Sequence, residues 1–388
     1  MNTNNNVNVN VNARAFNKAV SVASCIANSR DASSNHLFNT VRATFGKTKV
    51  VLEANELLSS IRIILSAEDL GMETVQPGSI LLTEIARSWL GRVDGFLSVM
   101  MNEENGNVIL TADGDKFDLN KQSQDYQKDV FVELVNPDPS CKKITVPVSF
   151  LSDLCACAEN AGNGKKNEQK LSLKAKDGSL VVASITEGHT KLTFFETEVD
   201  KSLNFETVVE PSSVEKVTKA ITPFITSRKS ESVDLYFGQK GMWIAADGIC
   251  VHFHRLDLAF PDAKRVVSMR GWENVVSVSY KMLYRSVSNI SSVSNGNCIW
   301  ITFDDGFMEM KSTTVGDSSV ESRIPLLLDT PPMEKLSIVV RKDLFKDFVD
   351  SVSPDEEKVR IRFDLNQNRK QPILIECGNL SSMQSVLC

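Results

Sequence analysis

His252 and His254 stand two apart in the run Ile249–Arg255, whose apolar and polar residues alternate as in a strand. Residues i and i+2 of a strand share a face, so the two imidazoles would project side by side and could hold a metal ion. No third ligand accompanies them at a suitable spacing, which argues against a metal centre. The eight cysteines are scattered and include no Cys-x-x-Cys pair. Cys155 and Cys157 sit two apart in a predicted helix and would therefore point to different faces. Asp and Glu are plentiful but no pair is singled out for acid–base work; an enzyme using His189 with a nearby carboxylate such as Glu187 is kept as an alternative. There is no phosphate-binding glycine loop, no Gly-x-Ser-x-Gly and no His-Glu-x-x-His. The side chains thus point to binding rather than catalysis, with no cofactor and no metal.

These side chains need elements to carry them. An amphipathic helix is expected to start near Ala13, Ser79, Ser149, Ser212, Ser279 and Arg341, at intervals of roughly 65 residues, each after a short apolar strand. A spacing that regular is an internal repeat. Apolar stripes at helical spacing, such as Leu151, Leu154, Cys155 and Ala158, or Val214, Val217 and Ile221, or Leu344, Phe345, Phe348 and Val352, read as the faces packed on a sheet. The opposite faces carry the charge. The windows 13–30 and 212–229 are each +3, 279–291 is +2, 79–92 is +1, and 149–166 and 341–352 are neutral. They total +9 in a chain of net charge −6, so everything outside them carries −15. Such segregation suits an acidic body with one weakly basic surface, and equally ordinary amphipathic helices whose Lys and Arg are solvated.

Between the helices the texture is that of short strands. Asp113-Gly114, Asp177-Gly178, Asp247-Gly248 and Asp305-Gly306 mark two-residue hairpins among them. Strands and helices in this order predict an α+β fold of antiparallel sheets with helices on one face. Turn-rich links at Asn136–Ser140 and Phe260–Asp262 divide the 388 residues into a polar tail 1–12 and domains 13–139, 140–267 and 268–388, each with two helices. The tail alternates Asn and Val; it lacks the pattern of a secretory leader, and Val7, Val9 and Val11 could extend the first strand. With 42% hydrophobic residues but no apolar run of membrane-spanning length, and with scattered cysteines, the expected setting is the cytoplasm, with no membrane partner.

Two stretches give the repeat a meaning: Thr186-Glu-Gly188-His189-Thr-Lys191-Leu192, and Phe260-Pro261-Asp262-Ala-Lys-Arg265-Val266-Val267. In this order and separation they resemble the Thr-Asp-Gly-His-Arg-Leu and Phe-Pro-Asp-Tyr-Arg-Arg-Val stretches of the bacterial DNA polymerase III beta subunit, the sliding clamp. Glu53–Arg62, Gln76–Leu82 and Asp115–Leu119 resemble other parts of that family.

The resemblance implies three repeated clamp domains, a head-to-tail homodimer closed into a ring, and twelve helices lining a hole that encircles double-stranded DNA without reading its sequence. Arg14, Lys18, Arg30, Arg87, Lys216, Lys219, Lys281 and Arg285, with Lys165 and Lys166 on a loop, would face the phosphates. Phe117 and Leu119 would form one subunit edge, against a region near Ile290 of the other. A peptide pocket for the polymerase III alpha subunit, the clamp loader and other clamp-binding-peptide proteins would comprise Leu171, Thr186, Gly188, His189, Lys191, Leu192, Pro261, Arg265, Val266, Met383 and Val386. The chain departs from the family where Thr190 intervenes before Lys191, where Ala263 replaces the common Tyr, and where the end reads Ser382-Met-Gln-Ser-Val-Leu-Cys388 rather than Met-Pro-Met-Arg-Leu. A clamp-fold interaction protein that does not encircle DNA is the second alternative.

Overall fold

The computed structural model describes residues 8–27, 39–101, 107–119, 136–161, 169–186, 191–304, 306–313, 318–330, 335–364 and 372–385. Within them one module recurs six times: a lead strand, a helix, and a three-stranded meander. The first runs β1 (Asn8–Asn12), α1 (Ala13–Ala27), β2 (Val41–Phe45), β3 (Lys49–Asn55) and β4 (Ser59–Ser66), followed by a short extra strand β5 (Glu73–Gln76). The second is β6 (Gly78–Leu82), α2 (Glu84–Leu90), β7 (Phe96–Met101), β8 (Val108–Ala112) and β9 (Asp115–Leu119). The third is β10 (Lys142–Pro147), α3 (Ser149–Glu159), β11 (Lys170–Lys176), β12 (Ser179–Ile185) and β13 (Lys191–Glu198). The fourth is β14 (Phe205–Val209), α4 (Pro211–Ser227), β15 (Ser232–Gly238), β16 (Gly241–Ala246) and β17 (Ile249–His254), after which a single short helix, α5 (Ala263–Ser268), intervenes. The fifth is β18 (Asn274–Ser279), α6 (Tyr280–Val293), β19 (Cys298–Asp304), β20 (Phe307–Thr313) and β21 (Ser319–Pro325). The sixth is β22 (Leu336–Arg341), α7 (Lys342–Ser351), β23 (Lys358–Phe363), β24 (Ile373–Cys377) and β25 (Leu380–Gln384).

Lead strands are exchanged within pairs of modules. β1 joins the meander at β7 while β6 joins at β2; β10 joins at β15 while β14 joins at β11; β18 joins at β23 while β22 joins at β19. Every one of these pairings is antiparallel, and they generate three repeated pairs. Meanders then join through their third strands. β4 pairs with β17 and β13 with β25, giving two eight-stranded sheets, β10-β15-β16-β17-β4-β3-β2-β6 and β14-β11-β12-β13-β25-β24-β23-β18. The third strands left over, β9 and β21, are the outer strands of the five- and four-stranded sheets. The chain divides into two compact units, Met1–Leu151 with Lys216–Arg255, and Ser152–Glu215 with Leu256–Cys388.

Local chemistry explains the elements. Asp113 and Gly114, Asp177 and Gly178, and Asp247 and Gly248 all have positive φ, the requirement of the tight hairpin turn whose twist matches its strands. In α1 the buried residues Phe16, Ala19, Val20, Ala23, Ile26 and Ala27 follow helical spacing and lie against β2–β4. Burying each large side chain among them stabilises the unit by about 1.5–3 kcal/mol. In α6 the stripe is Tyr280, Leu283, Val287 and Ile290, and the Tyr280 hydroxyl donates to the carbonyls of Val349 and Val352 at 3.0 and 3.2 Å.

Five helix starts fall within one residue of expectation. The one near Ser79 does not: Gly78–Leu82 is strand β6, paired with β2, and the helix begins at Glu84 after the N-cap Thr83. The run Ile80-Leu81-Leu82 gains more from a buried sheet position than from a helix turn, so tertiary pairing overrides the helical pattern. In α3 the buried thiol is Cys157, not Cys155, which is only half-buried.

Candidate functional site: an apolar groove and three basic helices

The groove lies in the second compact unit, on one face of the sheet that contains β11, β12, β13 and β25. Leu192, Ala183 and Ala263 form its buried floor, and Val181, Phe194, Phe260, Val266, Val267 and Met383 pack on them, half-buried. Strand alternation brings Leu192 and Phe194 to one face, and antiparallel pairing sets Met383 directly opposite Leu192. Helix α5 supplies the other wall. Its N-cap is Asp262, whose Oδ1 accepts from the backbone N–H of Arg265 at 3.0 Å. That bond, and the Lys174 ammonium 2.9 Å from Oδ2, hold the Asp262 carboxyl below the usual carboxylate range, while Asp262 raises the pKa of Lys174. Lys264 donates to Ser179 Oγ at 3.0 Å and to Glu196. α5 is thus pinned to β11 and β13 by two ionic contacts. Beneath it a cavity of about 370 Å³ opens, lined by Val181, Ala183, Phe260, Pro261 and Ala263 on the apolar side and by Lys174, Asp262 and Arg265 on the polar side.

Of the pocket residues expected from sequence, Leu192, Val266 and Met383 belong to the apolar cluster, and Pro261 and Arg265 line the cavity that adjoins it through Val181, Ala183, Phe260 and Ala263. Leu171, Thr186 and Lys191 do not line the groove. Leu171 is fully buried and pairs with Ser184, whose hydroxyl donates to the Cys157 carbonyl of α3, so both occupy the helix-side face of the sheet. Lys191 belongs to that face as well: it is 1% exposed, and its Nζ donates to Asn160 Oδ1 and to the Leu344 carbonyl of α7. Thr186 closes the strand connection by accepting from the Lys191 backbone N–H at 3.0 Å. Gly188, His189 and Val386 lie outside the described residues. The alternation that puts Leu192 in the groove must put Lys191 behind it. Val181, Phe194, Phe260 and Val267 are groove residues that the sequence reading missed; Phe194 was findable from its i+2 relation to Leu192.

The basic residues separate in the same way. Arg14 and Lys18 on α1, Lys216 and Lys219 on α4, and Lys281 and Arg285 on α6 are exposed. Lys18 also donates to Ser227 Oγ at 3.0 Å and sits 5.8 Å from the Phe224 ring. Arg87 is 8% exposed on α2, and burial lowers its pKa; a guanidinium held there cannot face a phosphate. At α7, the N-cap Arg341 bridges to Asp343 and Lys346 to Asp350, while Lys342 donates to the Ser294 carbonyl. Arg30, Lys165 and Lys166 lie outside the described residues.

At the edge strand β9, Phe117 is half-buried and 5.6 Å from the Trp89 ring, while Leu119 is buried. Ile290 is fully buried on the core side of α6, so in the isolated chain it offers no surface to a second subunit. His252 and His254 do share a face, with ring centroids 4.5 Å apart. His252 is 2% exposed and stacked 4.4 Å from Trp243; burial first, then His254, drives its pKa down to about 4. Among the described residues no group of three His, Cys, Asp or Glu could hold a metal ion. All the described cysteines are free thiols, and burial pushes Cys157 to about 12.

Compared with known proteins, the chain superposes over 99% of its length on 99% of the DNA polymerase sliding clamp of Bacillus subtilis, with a TM-score of 0.81 and 14% identity. The fold is that of the bacterial DNA polymerase III beta sliding clamps. The beta subunit of Streptococcus pyogenes DNA polymerase matches with a TM-score of 0.80 at 14% identity (98% of this chain, 99% of that one), and the DNA polymerase III beta chain of Streptococcus pneumoniae with 0.79 at 16% (98% and 100%). No family model matches the sequence, and no curated protein matches it significantly. Such identities mark a divergent chain whose clamp architecture is retained end to end. Among the described residues, no helix of this clamp-fold chain is long and apolar enough to cross a membrane.

Proposed function

We propose that this protein is a DNA sliding clamp, a non-catalytic processivity factor of replication. Two copies close head to tail around duplex DNA, and the groove beside α5 tethers the replicative polymerase, the clamp loader and other partners by short peptides. The observation that carries the reading is the strand accounting. Six meanders end in six third strands; among the described residues four of these pair with one another, and β9 and β21 remain. In a second copy, β9 and β21 could pair as β4 pairs with β17 and β13 with β25, which would close the set of third-strand joints and satisfy backbone groups that would otherwise invite uncontrolled pairing. Three domains, 13–139 together with β1 from the tail, 140–267 and 268–388, each hold one exchanged pair of lead strands.

The exposed cations of α1, α4 and α6 supply weak contact to phosphates, which is sequence-independent and suits sliding. An apolar groove with a few placed polar groups suits a short extended peptide. The cytoplasm is the compartment such a protein serves. Sedimentation and retention on DNA test the reading together. The expected result is a dimer that, once loaded by its clamp loader, stays on circular DNA and is released when that DNA is cut. A monomer at micromolar concentration, or equal retention on linear and circular DNA, would leave only a clamp-fold interaction protein that does not encircle DNA.

A further inference from the structure

Lys191 and Gln384 face each other across the β13–β25 joint, one residue from the groove pair Leu192 and Met383. Both point to the helix side and meet at one atom, the Leu344 carbonyl of α7, with the Lys191 amine at 2.9 Å and Gln384 Nε2 at 3.2 Å. The amine also donates to Asn160 Oδ1, at the end of α3. Asn160 Nδ2 in turn donates to the Ala156 carbonyl at 2.7 Å and to Ser351 Oγ, at the far end of α7, at 2.6 Å. Two strands and two helices are therefore tied through a single buried amine.

We propose that Lys191 is a positioning residue for the groove: its amine acts as a two-donor staple that fixes the β13–β25 joint and, through it, the spacing of Leu192 and Met383. The hydrogen bonding of the joint depends on how many protons the amine carries. A neutral amine has two N–H donors and, among the described residues, bonds two acceptors; an ammonium has a third donor, and the buried Gln384 Oε1 beside it has no partner, so gaining a proton changes which groups of the joint are paired. Among the described residues the charged or titratable groups facing it are Cys157 and Glu159 from α3 and Asp343 and Asp347 from α7; β25 contributes Gln384, and no described carboxylate is bonded to the amine. Burial outweighs these carboxylates and brings the Lys191 pKa down to about 7. Protonation would then rearrange the hydrogen bonding of the joint on whose other face the groove lies.

The proposal rests on reading the groove as the partner site, yet its test needs neither DNA nor peptide, so it fails or stands independently of the clamp function. The full chain is labelled with ¹³C-methyl methionine, and the Met383 resonance is followed between pH 5.5 and about 9, a range bracketing an amine that titrates near neutrality. The expected signal moves on a one-proton curve centred near neutrality in the unmodified protein and in His189→Gln, and is flat in Lys191→Gln. A flat Met383 signal in the unmodified protein, or a titration that survives Lys191→Gln, overturns the proposal. Should Lys191→Gln fail to fold, amide exchange of Leu192 and Met383 in the unmodified protein decides. Opening on the order of tenfold more frequent at pH 6 than at pH 8, corrected for intrinsic exchange, supports the staple, and equal opening overturns it.

Discussion

Around the groove, neighbouring residues in the chain have opposite fates. Leu192 is floor and Lys191 is buried network; Met383 is wall and Gln384 is network. A motif read as a string assigns every residue in it to the pocket, while a strand can give only every second one. The same limit applies to Arg87, whose charge counts in a sequence window although its side chain is buried. Two predictions belong to single side chains. Lys216→Glu with Lys219→Glu should weaken loading onto DNA and leave the dimer intact. The slope of log affinity against log salt should become shallower by about 0.9 for each phosphate that is no longer neutralised, and an unchanged slope would remove α4 from the DNA-facing surface. The second concerns Lys191. Its folded pKa, about 7, is below the unfolded value of about 10.4, so between those pH values the unfolded state binds the extra proton. Stability of the second unit should therefore rise with pH across that window, by at most about 1.4 kcal/mol per unit, and level off below it. Urea midpoints of the unmodified protein against Lys191→Met at pH 7 and pH 9 measure this; a constant difference would mean that the amine stays protonated.

Among the helices and strands, the repeat was legible because each helix shows an apolar stripe at helical spacing and a charged opposite face. The helix expected at Ser79 failed for an informative reason. Ile80-Leu81-Leu82 fits a helix stripe and a buried strand equally well, and only the partner strand β2 decides between them. Helix α5 was not expected as a helix, although Asp262 preceding Ala263-Lys264-Arg265 is an N-cap pattern. At six residues it cannot hold itself together and depends on its cap and its ionic contacts. Asp262→Ala removes both the cap and the Lys174 partner. It should cost about 1 kcal/mol and loosen α5 selectively, seen as faster amide exchange at Arg265–Met269 with little change in β18–β25. Because the Asp262 pKa is depressed, the cap contributes above the ordinary carboxylate pKa and is lost as pH falls through the folded value, so acid should mimic the substitution. Exchange that is uniform across the unit would show that α5 is held by the apolar wall alone.

Across the full chain, the open edges make the strongest prediction. If β9 pairs with β21 of a second copy, amides in Asp115–Leu119 and Ser319–Pro325 should exchange more slowly as protein concentration rises through the dimerisation range, whereas the joint β4–β17, closed within the chain, should not respond. Protection at β9 that is independent of concentration would exclude that interface. The sixfold period, the α+β class, the hairpin turns and the segregation of positive charge to helices were already settled in the order of the residues, because they follow from local periodicity and from turn residues able to take positive φ. Folding in three dimensions was needed to settle which lead strands exchange, which third strands pair with one another among the described residues, that Arg87 and Ile290 are inside, and that Lys191 lies behind the groove. Those outcomes depend on contacts between residues far apart in the chain, and on a face of each strand that a one-residue shift of register would invert.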